Sequence, residues 1–556
     1  MTCKLYPKNL KGKPTKPHYI LRSDRKSPIW QNISGQFCKI NYLNKKKVLP
    51  KLVEREIELK KFFSFLYLIF LSNLILGCSS TVQIKQAVSV EDPIIQFRVK
   101  LNKILQDSVL YQTKSGLKIV SLETGETLYT HDSHMLFHPA SNMKLLTTAV
   151  ALKQLGPNFK FKTTLSIDTN SIENGTIKGN LYLKGYGNPD LTTDDFRHIT
   201  SELKSKGIRK ISGDLICDDT YFDDLYLGYG WMWDDTNAQD FAPISALSVN
   251  SNCIIIEIRP ANHIGDTLIF RMDPETAYMK IENYGITVDS LDTLMQKSFK
   301  VERKWKNHEN TIVIKGGMTI HQNPEVFNIE VTDAALYAGV LFKELLLKEN
   351  IQFAGNILKE EAPDTSQILI QHNSSPLTIS IINTNKESDN LSAELILKTM
   401  GAEVKGQPGT ADKGISLIHQ YFNEIGIDST TYRITDGSGV SRYNLITPDM
   451  IIELLKDIHQ NAQIQAEFKS SLPIAGVDGS LNHRMKGTAA ENTLRAKTGT
   501  LKGVSSLSGY ATTADDEMLA FSIMMEHFIV PVIKIQNIQD KICILISSFS
   551  RNQMKK

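Results

Sequence analysis

The sequence predicts an α+β fold: one antiparallel five-stranded sheet, flanked by helices and closed by both ends of the chain, with one or two β-rich domains inserted in its middle. Three observations predict it. Residues 116–121 and 126–130 alternate as strands around Glu123-Thr124-Gly125, a hairpin signal near the start. Residues 493–501, 505–513 and 518–525 read as three closing strands, the last two joined by the turn Ala514-Asp515-Asp516-Glu517. Between these ends, 158–373 holds many short strands, such as 179–185 and 311–315. That stretch is too long for a loop and carries its own hydrophobic patterning.

The chain has 556 residues and a formal net charge of +3, which hides an asymmetry. Residues 1–77 carry 16 Lys+Arg against 4 Asp+Glu, leaving 47 against 56 for the rest. The basic excess therefore belongs to the leader and does not point to a nucleic-acid partner. Residues 1–59 are Lys-rich and unpatterned, consistent with a misassigned start or a cytoplasmic tail, so no fold is read into them. The apolar run 62–77, 16 residues long, follows Lys60-Lys61 and is shorter than a spanning helix. Residues 60–78 thus have the order of a secretory signal, and Ile75-Leu76-Gly77-Cys78 resembles a bacterial lipobox, in which Cys78 is lipidated. That predicts a protein on the periplasmic side of the cell envelope, held to the membrane by an N-terminal lipid.

Residues 79–91 read as a linker, 92–157 as the first part of the core domain, 158–373 as the insertion and 374–556 as the second part. Helical spacing is predicted over 93–110, 193–206 and 334–349, then over 376–385, 391–400 closed by Gly401, 410–425, 448–459 and 535–548. Cys217 and Cys253 lie in apolar strand-like runs, as two buried thiols or as one disulfide. No Cys/His spacing suggests zinc, and no cofactor is implied. Trp231 and Trp233 with Tyr229 are core packing or a binding platform.

The stretch His138-Pro139-Ala140-Ser141-Asn142-Met143-Lys144 opens an apolar helix that Gly156 ends. Three residues apart at a helix start, Ser141 and Lys144 share a face, as a nucleophile and its base do. Ser115-Gly116-Leu117-Lys118 and Ser201-Glu202-Leu203-Lys204 share the spacing, but the first lies in a strand and the second well inside a polar helix. Downstream, Ser388-Asp389-Asn390 precedes an apolar helix and Lys497-Thr498-Gly499-Thr500 opens a strand. Decoys exist for these too, Ser248-Val249-Asn250 and Lys114-Ser115-Gly116, but only one choice keeps order and setting together.

The chemistry explains the residue types. Cutting an amide needs the Ser141 proton to leave, and Lys144 accepts it if burial and a neighbouring cation such as Lys497 lower its pKa. Ser388 can relay the proton to the departing amine, while Asn390 holds the substrate amide and orients Lys144. Lys497 adds positive potential for a terminal carboxylate, which the Thr498 and Thr500 hydroxyls also bind. Gly499 keeps the strand free of a side chain where substrate backbone must lie. The N–H groups of Ser141 and Thr500 would form the oxyanion hole, ~2.7–4 kcal/mol per donor.

The set Ser-x-x-Lys, Ser-x-Asn, Lys-Thr-Gly is that of penicillin-binding proteins and β-lactamases. The 247 residues from Ser141 to Ser388, against 109 from there to Lys497, separate subfamilies. That long interval, with Gly185-Tyr186-Gly187-Asn188-Pro189-Asp190, Phe241-Ala242-Pro243-Ile244-Ser245-Ala246-Leu247, Asp436-Gly437-Ser438-Gly439-Val440-Ser441-Arg442-Tyr443-Asn444 and Leu472-Pro473-Ile474-Ala475-Gly476, resembles the D-alanyl-D-alanine carboxypeptidase/endopeptidase family, the class C low-molecular-mass penicillin-binding proteins. The resemblance covers about residues 96–548. It implies a penicillin-recognising, β-lactamase-like serine transpeptidase domain, peptidoglycan stem peptides and cross-links as substrates, and β-lactams as inhibitors. Members usually show an Asn-rich loop after the last core strand, whereas this chain has Met525-Glu526-His527-Phe528. Arg442 and Arg484 are candidate contacts to an acidic peptide or salt bridges of the core, and Asp240 is a candidate for the pocket of the substrate's amino-bearing side chain. A β-lactamase is the nearest alternative, but no Glu-x-x-Leu-Asn element lies between Ser388 and Lys497, and Glu424 reads as a helix-end residue. A non-catalytic penicillin-binding wall lipoprotein is the other.

Overall fold

The computed structural model describes residues 92–232 and 241–552. The leader, the signal segment with Cys78, the linker, Trp233 and Asp240 lie outside the described residues. Helix α1 (Pro93–Leu105) starts at Pro93 behind Asp92, whose carboxylate accepts from Ile94 N, and it buries Phe97 and Leu101. It stops short of Leu110 because Asp107 caps a separate 3₁₀ turn, accepting from Val109 N at 3.1 Å. Strands β1 (Lys114–Ser121) and β2 (Thr127–His131) make the predicted hairpin. Helix α2 (Met143–Leu155) follows, closed by Gly156 with φ +81°.

After the insertion come α3 (Leu377–Lys386), α4 (Asn390–Lys405), α5 (Ala411–Glu424), α6 (Pro448–Gln460) and α7 (Gln465–Ser471). Strands β3 (Leu494–Leu501), β4 (Val504–Thr512) and β5 (Met518–Glu526) and helix α8 (Val532–Ser547) complete the chain. The sheet runs β2-β1-β5-β4-β3 and is antiparallel throughout, with β1 paired to β5 from Lys114↔Glu526 to Ser121↔Leu519. Thus the first and last strands of the core meet at its centre. Period-2 alternation on β5 sends Leu519, Phe521, Ile523 and Met525 into a core shared with α1 and α8, and Ala520 and Met524 into one shared with α2 and α6. Each large apolar side chain buried this way contributes about 1.5–3 kcal/mol.

Helix α4 continues past Gly401, where the spacing predicts its end, and stops at Gly406 with φ +87°. Gly401 instead allows close contact with α5, since a Cβ there would lie 2.9 Å from the Cβ of Lys413. Helix α7 is too short for its periodicity to stand out in the sequence.

The β-rich insertion leaves along Lys160–Ile167 and returns along Gln367–Pro376, which pair antiparallel, and Leu377 N donates to Phe159 O at 2.7 Å. Departure and return therefore coincide, which lets the core close around one attachment point. Cys217 and Cys253 are buried thiols and form no disulfide. Arg484 belongs to the core, its guanidinium 2.7 Å from Asp540 of α8. Among the described residues no helix is long and apolar enough to cross a membrane.

Candidate active site

The turn that carries Ser141 is a 3₁₀ segment, Ala140–Asn142, so Ser141 lies just ahead of α2 rather than within its first turn. Ala140 has φ +48°, a conformation held from outside. Asn142 Nδ2 donates to Lys497 O at 2.9 Å, and Ser506 Oγ donates to Pro139 O at 2.6 Å. Both contacts tie the turn to the sheet. Gly499 is part of the same fit: a Cβ there would lie 2.8 Å from Pro139 O and 3.0 Å from Ser141 N, so its missing side chain makes room for the turn that carries Ser141.

One turn after Ser141, at the start of α2, Lys144 is fully buried. Its Nζ donates to Ser141 Oγ at 2.9 Å, Asn390 Oδ1 at 2.5 Å and Ser438 O at 2.9 Å. Ser388 has φ +61° in the turn before α4, where Asp389 caps the helix and aligns Asn390. Ser388 Oγ accepts from Lys497 Nζ at 2.8 Å. Burial, and then the charge of Lys144, holds the Lys497 pKa well below the usual lysine value. Two lysines in one buried cluster cannot both carry charge cheaply, which makes an amine available as a base.

Thr498 Oγ1 lies 2.7 Å from Ser480 Oγ, while Thr500 is exposed on the open side of β3. Ser480 escaped the sequence reading; its signal is the Gly479-Ser480 turn shortly before the Lys-Thr-Gly strand. Arg442 is half-buried and donates to Lys502 O of the β3–β4 hairpin at 3.0 Å. Trp231 Nε1 donates to Asp436 at 3.0 Å and its ring packs edge-on against Phe241, so it is packing. The decoys lie elsewhere: Ser115 is buried on β1 with Lys118 paired to Asp449, and Ser201 lies on helix Thr193–Ser205 with Lys204 paired to Glu349. Ser248 and Asn250 fall in the insertion, and Glu424 pairs with Lys153 at the end of α5.

At the end of β5 the buried Glu526 accepts from His138 N at 3.0 Å, contacts His138 Nδ1 at 2.8 Å and pairs with Lys114 at 3.1 Å. Among the described residues no group of His, Cys, Asp and Glu could hold a metal ion.

A hydroxyl bonded to a buried amine, with a second hydroxyl–amine pair beside it, is equipped for one reaction: acyl transfer through a serine ester. Such a cluster between a helix start and the edge of a five-stranded antiparallel sheet defines a penicillin-recognising serine hydrolase. The model of the D-Ala-D-Ala carboxypeptidase 3 (S13) family matches residues 97–547, and the chain belongs to that family. It is a serine-type D-Ala-D-Ala carboxypeptidase. It is 33% identical over 447 residues to the D-alanyl-D-alanine carboxypeptidase of Actinomadura sp. (strain R39), covering 78% of this chain and 81% of that one. The crystal structure of penicillin binding protein 4 (dacB) from Haemophilus influenzae is similar with TM-score 0.70 and 25% identity, covering 79% of this chain and 97% of that one. A complex of that protein with a novel β-lactam is similar in fold, with TM-score 0.65, 24% identity, and coverage of 80% and 97%.

Two tests follow from the packing around the site. Gly439 has φ +89°, and a Cβ there would lie 1.8 Å from Ala140 O. Gly439→Ala must therefore displace Ala140, the residue before Ser141, and acylation by penicillin is expected to slow about 10²-fold. A wild-type rate would show that the turn is not held from this side. The second concerns pH. Burial alone would raise the Glu526 pKa, but the His138 ring and N–H and the Lys114 ammonium hold it down to about 2, against 4.5 unperturbed. A depressed carboxylate stabilises the fold fully above its unfolded pKa and loses that contribution as pH falls through the folded one. The Tm difference between wild type and Glu526→Gln should hold at neutral pH and shrink between about pH 4.5 and 2. A difference independent of pH would remove Glu526 from the acid response.

Proposed function

We propose that the protein trims and opens peptidoglycan, hydrolysing D-Ala-D-Ala stem ends and D-Ala-to-diamino-acid cross-links through an acyl-enzyme on Ser141, and that β-lactams acylate the same serine. The observation that carries this is the position of Lys144 Nζ between Ser141 Oγ and Asn390 Oδ1. In its neutral form the Lys144 amine takes the Ser141 proton as Oγ attacks the penultimate D-Ala carbonyl. The tetrahedral oxyanion is met by the N–H groups of Ser141 and Thr500. Ser388, bonded to Lys497, passes a proton to the departing amine, either D-Ala or the cross-linked side chain. Lys497, Thr498 and Thr500 hold the terminal carboxylate when there is one, with Arg442 as a further candidate contact to the peptide. Water then takes the place of the amine and releases the peptide.

Asp240 remains our candidate for the pocket of the amino-bearing side chain. The chain acts, on this reading, at the periplasmic side of a bacterial envelope, tethered through a lipid on Cys78; the segment order around Ile75-Leu76-Gly77-Cys78 supports that. The test is mass spectrometry of the protein from Ser79 onward, with one sample exposed to a penicillin and a separate one to a cross-linked muropeptide. A lasting adduct on Ser141, with release of D-Ala or of monomers, is the expected result. An adduct that turns over within seconds would favour a β-lactamase, and no adduct on folded protein would favour a non-catalytic binding lipoprotein.

A further inference from the structure

Asn390 and Glu394 stand one turn apart on α4, and both are buried. The first reaches Lys144 directly. The second reaches the loop 436–444: the Glu394 carboxylate accepts from Gly437 N at 3.0 Å and from Ser438 N at 2.8 Å. The Asp436 carboxylate takes the next N–H groups, accepting from Gly439 N at 2.8 Å and Ser441 N at 2.6 Å. With its N–H groups drawn toward two carboxylates, the loop must turn its carbonyls the other way. They meet α2. Gly437 O accepts from Thr147 Oγ1 at 2.7 Å, and Ser438 O accepts from Lys144 Nζ at 2.9 Å. At Gly437 and Ser438 the loop is thus a polar spacer with a fixed sense, N–H toward α4 and C=O toward α2.

We propose that Glu394 is a positioning residue of the reaction, which orients the 437–438 peptides so that the Ser438 carbonyl holds Lys144 Nζ against Ser141, and whose charge biases the proton on that amine. The inference rests on Lys144 being the base. Glu394 touches no substrate, so its effect reaches the chemistry only through Ser438 and Lys144. The arrangement has an electrostatic cost. Burial, and then the nearby Asp436, raises the Glu394 pKa above the ordinary carboxylate range. Asp436 of the loop is the charged group that acts on it directly; Lys144 of α2 lies across the loop, bonded to Ser438 O, and Lys398, one turn further along α4, has its ammonium held by Asp223 and Leu225 O. A carboxylate that merely filled space would not be kept beside a second carboxylate with every contact on one loop.

The experiment compares wild type, Glu394→Gln and Thr147→Val for kcat and KM on a D-Ala-D-Ala peptide and for the rate of penicillin acylation against pH. Glu394→Gln is expected to lower kcat by about 10- to 100-fold with KM unchanged. It should also move the acidic limb of the acylation profile to lower pH, because removing a negative charge disfavours the ammonium. A folded Glu394→Gln with the wild-type rate, or one that is slower with its limb unmoved, overturns the proposal. If Glu394→Gln does not fold, Thr147→Val decides, since it releases the same peptides from the other side with no change of shape: reduced kcat at constant KM supports the proposal, and wild-type kcat overturns it. Absence of any adduct on wild type would instead sink the acyl-enzyme reading beneath it.

Discussion

Ser141→Ala yields a folded protein that forms no penicillin adduct and releases no D-Ala, a loss of at least about 10⁴-fold in kcat. The fold should survive because the turn is held by its neighbours: Asn142 is bonded to Lys497 O, and Pro139 O to Ser506. Lys144 keeps Asn390 and Ser438 as partners when the hydroxyl is gone. What is lost is the atom that forms the ester. Ser115→Ala and Ser201→Ala are the controls, and each should react at the wild-type rate. Loss of labelling in either, with Ser141→Ala still active, would overturn the assignment.

Lys144→Ala should slow acylation by about 10³- to 10⁴-fold, the upper range for a general base. Lys144→Arg should be nearly as poor, because a guanidinium does not give up its proton and its fork does not fit three acceptors arranged around one amine. Lys497→Ala tests the alternative. Its amine is also disfavoured as a cation by burial and by Lys144, but it contacts Ser388 rather than Ser141. It should therefore cost less in acylation by a β-lactam, whose leaving amine stays attached, than in peptide turnover. Near wild-type acylation by Lys144→Ala, with Lys497→Ala inert, would move the base role to Lys497.

Most of this site was legible because its chemistry is written in short spacings. Ser141 and Lys144 share a helix start, Ser388 and Asn390 flank a cap, and Lys497 to Thr500 open a strand; each local setting follows from its own sequence. The strand pair before Ser141 and the three closing strands were legible for the same reason, as alternation is a local signal. Where the reading erred, distant contacts were responsible. Gly401 looks like a helix stop, yet it lies where α5 approaches too closely for a side chain. Ser141 precedes α2 because the turn before it is pinned by β3 and β4. Arg484 and the pair Cys217 and Cys253 could be narrowed only to alternatives, since which partner a side chain meets is a matter of the whole fold.

The sequence by itself pointed to Ser141 and Lys144 as candidate nucleophile and base and to the order of the motifs, because those depend on residues within a few positions of one another. Only the tertiary structure decided that Lys144 is shared among three acceptors contributed by different segments. It also decided that Glu394 faces the loop behind that lysine and that Glu526 binds His138 across 388 residues of chain. The physical reason is the same in each case. A hydrogen bond between distant segments leaves no periodicity in either, and its partner is chosen by how the sheet closes between the two ends of the chain.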